Sequence, residues 1–158
     1  MENGSENGSR DDLRNDLNDG LIPIATVTME SAAGYAQTIH AGPYRLAADE
    51  PTASGGTGTG PRPYALLLSA LGACTAITLR MYADRKGWPL GTIDVRLRML
   101  KSKDGRERIA REIHFSADLT AEQRARLTEI AGKTPVTRTI ATGAPIDTTI
   151  VETPLKPA

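Results

Sequence analysis

The longest apolar stretch of the chain is the feature that most limits what it can fold into. It runs from Ala65 to Leu79 and reads ALLLSALGACTAITL, with Arg62 before it and Arg80 directly after it. A run of about 15 residues at ~1.5 Å per residue is too short to cross a bilayer, which needs about 20. It suits a buried helix, so we expect a soluble protein built around this segment, with no membrane partner.

The ends of this helix are marked in the sequence. Glycine and proline precede it between Gly55 and Pro63, and Gly87 and Pro89 follow it. Glycine suits the position just after a helix, and proline prevents its continuation. We predict a helix from about Tyr64 to Arg85.

Alternating apolar and polar residues predict strands on both sides of the helix. We expect two or three short strands between Ile24 and Ala47, a hairpin pairing Ile93–Met99 with Ile109–Phe115, and a final strand from Pro145 to Glu152. An Asp-Gly pair at residues 104–105 makes the hairpin turn.

Two further helices are predicted from their N-terminal signals. Thr120 and Gln123 form a capping box that opens a helix to about Ala131. Thr134 is expected to cap a short helix that begins at Pro135. The order β-β-β-α-β-β-α-α-β predicts an α+β fold, a mostly antiparallel sheet packed on helices.

The domain organisation follows from length and charge. With 158 residues the chain is long enough for one cored domain. Residues 1–23 hold six acidic and two basic side chains and few apolar ones, so we expect a mobile acidic arm before a domain of residues 24–158. The polar start lacks a secretory signal, which predicts a cytoplasmic location and reduced thiols.

Composition argues against several classes of ligand. Net charge is zero and aromatic residues are scarce, so we expect no nucleic-acid partner. His40 and His114 have no cysteine or carboxylate at ligand spacing, so we expect no metal. The glycine-rich segment lacks the Gly-Lys-Ser/Thr ending of a phosphate-binding loop, which favours a flexible loop instead.

Cys74, the only cysteine, has two interpretations. Free cysteine is among the most buried residue types, which favours a packed core position. A nucleophilic thiol needs a group that stabilises its thiolate, and Arg80, the nearest basic residue, lies about 240° round the helix from it. An activating cation must then come from another segment, with Arg45 and Arg138 as the candidates.

Several segments resemble the OsmC/Ohr family, which includes osmotically inducible and organic hydroperoxide resistance proteins. The resemblance extends over about residues 24–151 in collinear order. Its segments are Asp49-Glu50-Pro51, Gly55-Gly56, Gly60-Pro61-Arg62-Pro63-Tyr64, Leu66-Leu67-Leu68, Ala70-Leu71-Gly72-Ala73-Cys74-Thr75-Ala76, Thr78-Leu79-Arg80-Met81-Tyr82-Ala83, Asp118-Leu119, Gln123-Arg124 and Pro135-Val136.

The resemblance implies an intertwined homodimer with long central helices and sites at the subunit interface. It also implies a thiol peroxidase that needs no cofactor, with Cys74 at the position that attacks an organic hydroperoxide. Two departures bear on that activity. The second cysteine of the family, which precedes the proline matched by Pro135, is replaced by Thr134. The usual glutamate is replaced by Tyr64, with Ala65 beside it.

Three hypotheses follow. The first is a one-cysteine hydroperoxide reductase that uses an external thiol, and the second is a protein that binds a hydrophobic ligand in the interface cleft without turnover. The third is a scaffold in which Cys74 is only packed. Residues expected to line a site are Arg45, Glu50, Tyr64, Thr134 and Arg138.

Overall fold

The computed structural model describes residues 20–157, which form two compact units. The first unit contains residues 20–61 and 146–157, and the second is Arg62–Pro145. All but the last four residues of the predicted acidic arm lie outside the described residues.

The first unit is built on a three-stranded antiparallel sheet in the order β1-β2-β3. The strands are β1 (Thr28–Glu30), β2 (Gln37–Ala41) and β3 (Tyr44–Ala48). In this register the central Ile39 lies opposite both Met29 and Leu46. The predicted strands are confirmed, although the first starts later than Ile24, whose side chain is exposed.

The glycine-rich loop after β3 is held by one carboxylate, which corrects the expectation of a flexible loop. Oδ2 of the buried Asp49 accepts hydrogen bonds from the backbone and hydroxyl groups of Thr57 and Thr59, at 2.6–3.1 Å. A side chain at Gly56 would place its Cβ 1.9 Å from the Glu50 carbonyl oxygen. The close approach therefore requires glycine, and five accepted hydrogen bonds, one of them from the Glu50 amide, fix the loop.

The second unit packs a long helix, α1 (Pro63–Lys86), on a hairpin and two shorter helices. The hairpin is β4 (Ile93–Lys101) with β5 (Glu107–Phe115), and the helices are α2 (Ala121–Ala131) and α3 (Pro135–Thr142). α1 ends at Gly87, which has a positive φ of 65°. A Cβ on Gly72 would lie 3.0 Å from the Leu97 side chain, so this glycine lets α1 approach β4 closely.

The core of the second unit lies where α1 and α2 meet the hairpin. Its fully buried members are Leu79, Ala83, Leu90, Leu127 and Ala131. Leu71, Thr75, Leu79 and Ala83 form a buried line four residues apart along α1, the spacing that places side chains on one helix face. The capping box of Thr120 and Gln123 is confirmed, with both of its hydrogen bonds present.

The predicted strand from Pro145 to Glu152 is wrong. The segment forms no ladder, and Ile146 and Ile150 are both exposed. Alternation along a segment shows only that it could become a strand, because a strand also needs a partner with which to share backbone hydrogen bonds.

The whole of α1 is long and apolar enough to span a membrane by length and composition, although its apolar run alone is too short. The core helices of soluble proteins meet the same criterion, and one such helix is weak evidence. Leu79 and Ala83 of its buried line pack in the core described above.

Candidate functional site

Cys74 lies at the edge of the buried line of α1. Its thiol is partly buried, in contrast to the fully buried Thr75 beside it. Among residues 20–157, no side chain hydrogen-bonds to the sulfur. Cys74 is therefore neither fully buried in the core nor fully exposed to solvent.

The helix face next to Cys74 is apolar, and no side chain among residues 20–157 covers it fully. Leu67 and Met81 are each seven residues from Cys74, which places all three in one row along the helix because seven residues make about two turns. Leu67 is 38% exposed, Met81 51% and the neighbouring Ile77 59%. Exposed apolar side chains repeated along one helix face indicate a surface that binds a ligand or another protein surface.

On the buried face of α1, a guanidinium joins three elements. Arg111 on β5 donates from Nη1 to the hydroxyls of Thr75 (2.8 Å) and Thr137 (3.0 Å), and from Nη2 to the carbonyl of Ala131 (2.8 Å). The Thr75 hydroxyl itself donates to the Leu71 carbonyl at 2.7 Å. Arg111 thereby connects α1, the end of α2 and α3.

The charge of Arg111 has no counter-ion within the described chain. All three of its acceptors are neutral oxygens, and no carboxylate pairs with it in residues 20–157. Burial lowers the pKa of the Arg111 guanidinium below its ordinary value. Arginine nevertheless stays protonated in proteins, so the site carries a positive charge.

Thr134 belongs to the same cluster, and its predicted capping role is wrong. It occupies the N-cap position of α3, but its side chain makes no capping hydrogen bond. Its hydroxyl instead shares a 2.7 Å hydrogen bond with the Thr137 hydroxyl. Since Thr134 is only 1% exposed, its side chain is satisfied by the cluster around Arg111 and not by the helix backbone.

The other predicted site residues lie on several elements, two of them in each unit. Tyr64 is exposed at the start of α1, and Arg138 is exposed on α3. Arg45 is exposed on β3 of the first unit, where it lies opposite His40. Glu50 is partly buried in the loop of that unit, and its carbonyl accepts from the Gly58 amide at 3.1 Å.

Arg80, the basic residue nearest to Cys74 in sequence, is engaged elsewhere. Its Nη2 donates to the Gly91 carbonyl. His114 pairs with Asp94 at 3.2 Å on an exposed face. Among residues 20–157, no three histidine, cysteine or acidic side chains come together as metal ligands would.

Arg111 is the functional candidate that sequence reasoning missed, although a signal was present. Along β5 it falls on the same face as Ile109, Ile113 and Phe115, the apolar face of the strand. A single arginine on such a face must find polar partners inside the fold, because burying an unpaired charge is costly.

Comparison with known proteins identifies the family. The family model described as OsmC-like protein matches residues 56–149, which is more than half of the chain. The chain belongs to the OsmC-like protein family. The comparison with curated protein sequences gives no match.

Solved structures share the OsmC-like fold. A putative osmotic stress induced and detoxification response protein from Psychrobacter arcticus has a TM-score of 0.64 at 15% identity, over 75% of this chain and 90% of that one. The organic hydroperoxide resistance protein OhrB of Bacillus subtilis has a TM-score of 0.53 at 22% identity, over 74% and 90%. These likenesses support the α+β fold of this OsmC-like protein.

Proposed function

We propose that this OsmC-like protein reduces organic hydroperoxides through Cys74 alone, in the cytoplasm and with an external thiol as reductant. The observation that supports this most is the position of Cys74, partly buried on α1 beside the uncovered apolar face of Leu67, Ile77 and Met81. A bulky apolar hydroperoxide would lie in a cleft at the edge of that face, with its peroxide group at the sulfur.

The reaction balances with one cysteine. The Cys74 thiolate attacks the peroxide oxygen, the O–O bond breaks, and the alkoxide takes a proton and leaves as the alcohol, so that Cys74 becomes a sulfenic acid. A first external thiol forms a mixed disulfide with the sulfur and releases water. A second thiol then exchanges with it, which restores Cys74 and yields the oxidised thiol as a disulfide.

The absence of a second cysteine makes the external thiol essential. Cys74 is the only cysteine in the sequence, and Thr134 occupies the place where the resemblance implies a resolving cysteine. Without a thiol to intercept it, a sulfenate exposed to excess peroxide proceeds to sulfinic acid.

Trapping of the sulfenate tests this proposal. The full-length protein is treated with cumene hydroperoxide or hydrogen peroxide in the presence of dimedone, and the adduct on Cys74 is followed by mass spectrometry. We expect faster adduct formation with the organic hydroperoxide, and none in Cys74→Ser. Equal rates for folded and urea-unfolded protein would show that the fold does not activate Cys74.

A second copy of the chain is the partner that we propose for the uncovered face of α1. Leu67, Ile77 and Met81 repeat at helical spacing, and burying them between two α1 helices would remove this apolar surface from water. Sedimentation equilibrium should show a dimer at micromolar concentration. Ile77→Glu should raise its dissociation constant, whereas Lys86→Glu at the polar end of α1 should not. A folded wild-type monomer would refute the proposal.

Binding without turnover is the second candidate, because the same interface cleft could hold a hydrophobic ligand beside an unreactive thiol. Native mass spectrometry of the purified protein distinguishes the two. A co-purified apolar ligand together with no sulfenate after peroxide treatment would favour binding.

A further inference from the structure

A groove lies in the second unit beside Arg111, between α3 and the hairpin. Its volume is about 450 Å³, within the range of roughly 300–1,000 Å³ that small-molecule sites occupy. Five apolar side chains line it: Leu71, Met99, Ile109, Ile140 and Ala141.

The polar groups in the groove leave a net positive charge. Glu107 also lines it, but this carboxylate pairs with Lys101 at 3.2 Å. Arg111 contributes a guanidinium group and Thr137 a hydroxyl, and Arg108 also lies at the groove. Arg111 has no carboxylate partner in the described chain, so an anion arriving in the groove would meet an uncompensated cation.

Arg111 has donors to spare for such an anion. A guanidinium carries five N–H groups, and three of them are used on Thr75, Thr137 and Ala131, which leaves two without a partner in residues 20–157. The three bonds hold the planar group in place. A guanidinium held in this way can donate two parallel hydrogen bonds to a carboxylate, and it loses little side-chain entropy in doing so.

We propose that the groove binds an aliphatic monocarboxylate of medium chain length, with the carboxylate on Arg111 and the chain along the apolar side chains. The carboxylate of the ligand supplies the negative charge beside Arg111 that the described chain does not provide. The apolar lining favours an alkyl chain over a polar or multiply charged metabolite. The site requires no reaction at Cys74 and so goes beyond the proposed peroxidase activity.

Calorimetric titration of the full-length protein with octanoate tests the proposal. Octanol and octylamine supply the same chain without the anion, and acetate supplies the anion without the chain. We expect octanoate to bind at least about tenfold more tightly than each of the three, since charge-assisted hydrogen bonds and apolar burial both contribute. Octanol binding as tightly as octanoate, or no binding of octanoate at millimolar concentration, would overturn the proposal.

Variants locate the site. Arg111→Met should weaken octanoate binding at least about tenfold, while Arg98→Met, which changes an exposed arginine paired with Glu112 on the other face of the hairpin, should leave it unchanged. Ala141→Leu changes an exposed position and should weaken binding by filling the groove, even if Arg111→Met fails to fold. Equal affinity in all three variants would overturn the proposal.

Cys74→Ser separates this site from the peroxidase chemistry. It should bind octanoate as the wild type does. A loss of binding in Cys74→Ser would show that the carboxylate lies at the thiol and not at Arg111. A failure of octanoate binding would leave the sulfenate-trapping result unaffected, so the two proposals fail independently.

Discussion

Replacing Thr75 by valine removes one acceptor from Arg111 while nearly preserving side-chain volume. Thr75 is fully buried, so water cannot take the place of its hydroxyl. A hydrogen bond to a charged group contributes about 1.5–3 kcal/mol to stability. Arg111 is only partly buried and can recover some hydration, which favours the lower end. The other bond of the hydroxyl, to the Leu71 carbonyl, adds little because that carbonyl lies within the helix.

We therefore expect Thr75→Val to lower the free energy of unfolding by about 1.5 kcal/mol, which corresponds to ~3–6 °C in Tm for a chain of this size. Urea denaturation at a fixed protein concentration measures it. Thr128→Val is the matched control, because its hydroxyl also bonds a carbonyl one turn back, that of Arg124, but meets no charge. The control should change stability by less than about 0.5 kcal/mol.

A double-mutant cycle with Arg111→Met identifies the cause. Once the guanidinium is absent, the loss of its acceptor should cost much less, which gives a coupling energy of about 1 kcal/mol or more between the two positions. A coupling near zero, or a Thr75→Val variant as stable as Thr128→Val, would refute the assignment of Arg111 as a buried cation that depends on Thr75.

Two further predictions concern Asp49 and Thr134. The pKa of Asp49 is held below its ordinary value by hydrogen bonds, first from the Thr57 side chain and then from the Thr59 backbone. Its contribution to stability is therefore complete above an unfolded pKa of about 4 and is lost progressively as pH falls from there to the lower folded value. Asp49→Asn should therefore lower stability at pH 7, with the difference from wild type narrowing below about pH 4; a difference that is constant down to pH 2 would contradict this. Thr134→Cys should form a disulfide with Cys74 after hydroperoxide treatment and resist overoxidation, whereas mass spectra showing sulfinic Cys74 beside a free thiol at 134 would show that the two positions do not meet.

Local sequence determined the elements whose signals are complete within a few residues. The capping box of α2 needs only Thr120 and Gln123, and the end of α1 needs only a glycine that tolerates positive φ, so both were predictable and both are present. The β4–β5 hairpin follows from alternation on both sides of one turn, and the collinear motifs around Cys74 sufficed to suggest the family.

Tertiary structure decided the features that depend on distant partners. The acceptors of Arg111 lie 36, 26 and 20 positions away along the chain, and nothing local to β5 indicates which oxygens would meet it. The same holds for Thr134, whose hydroxyl could satisfy either a helix end or a neighbouring side chain, and for the segment from Pro145, which alternates like a strand but pairs with none. The sequence determines which groups can form hydrogen bonds, but the partner of each group is decided only when the fold brings distant segments together.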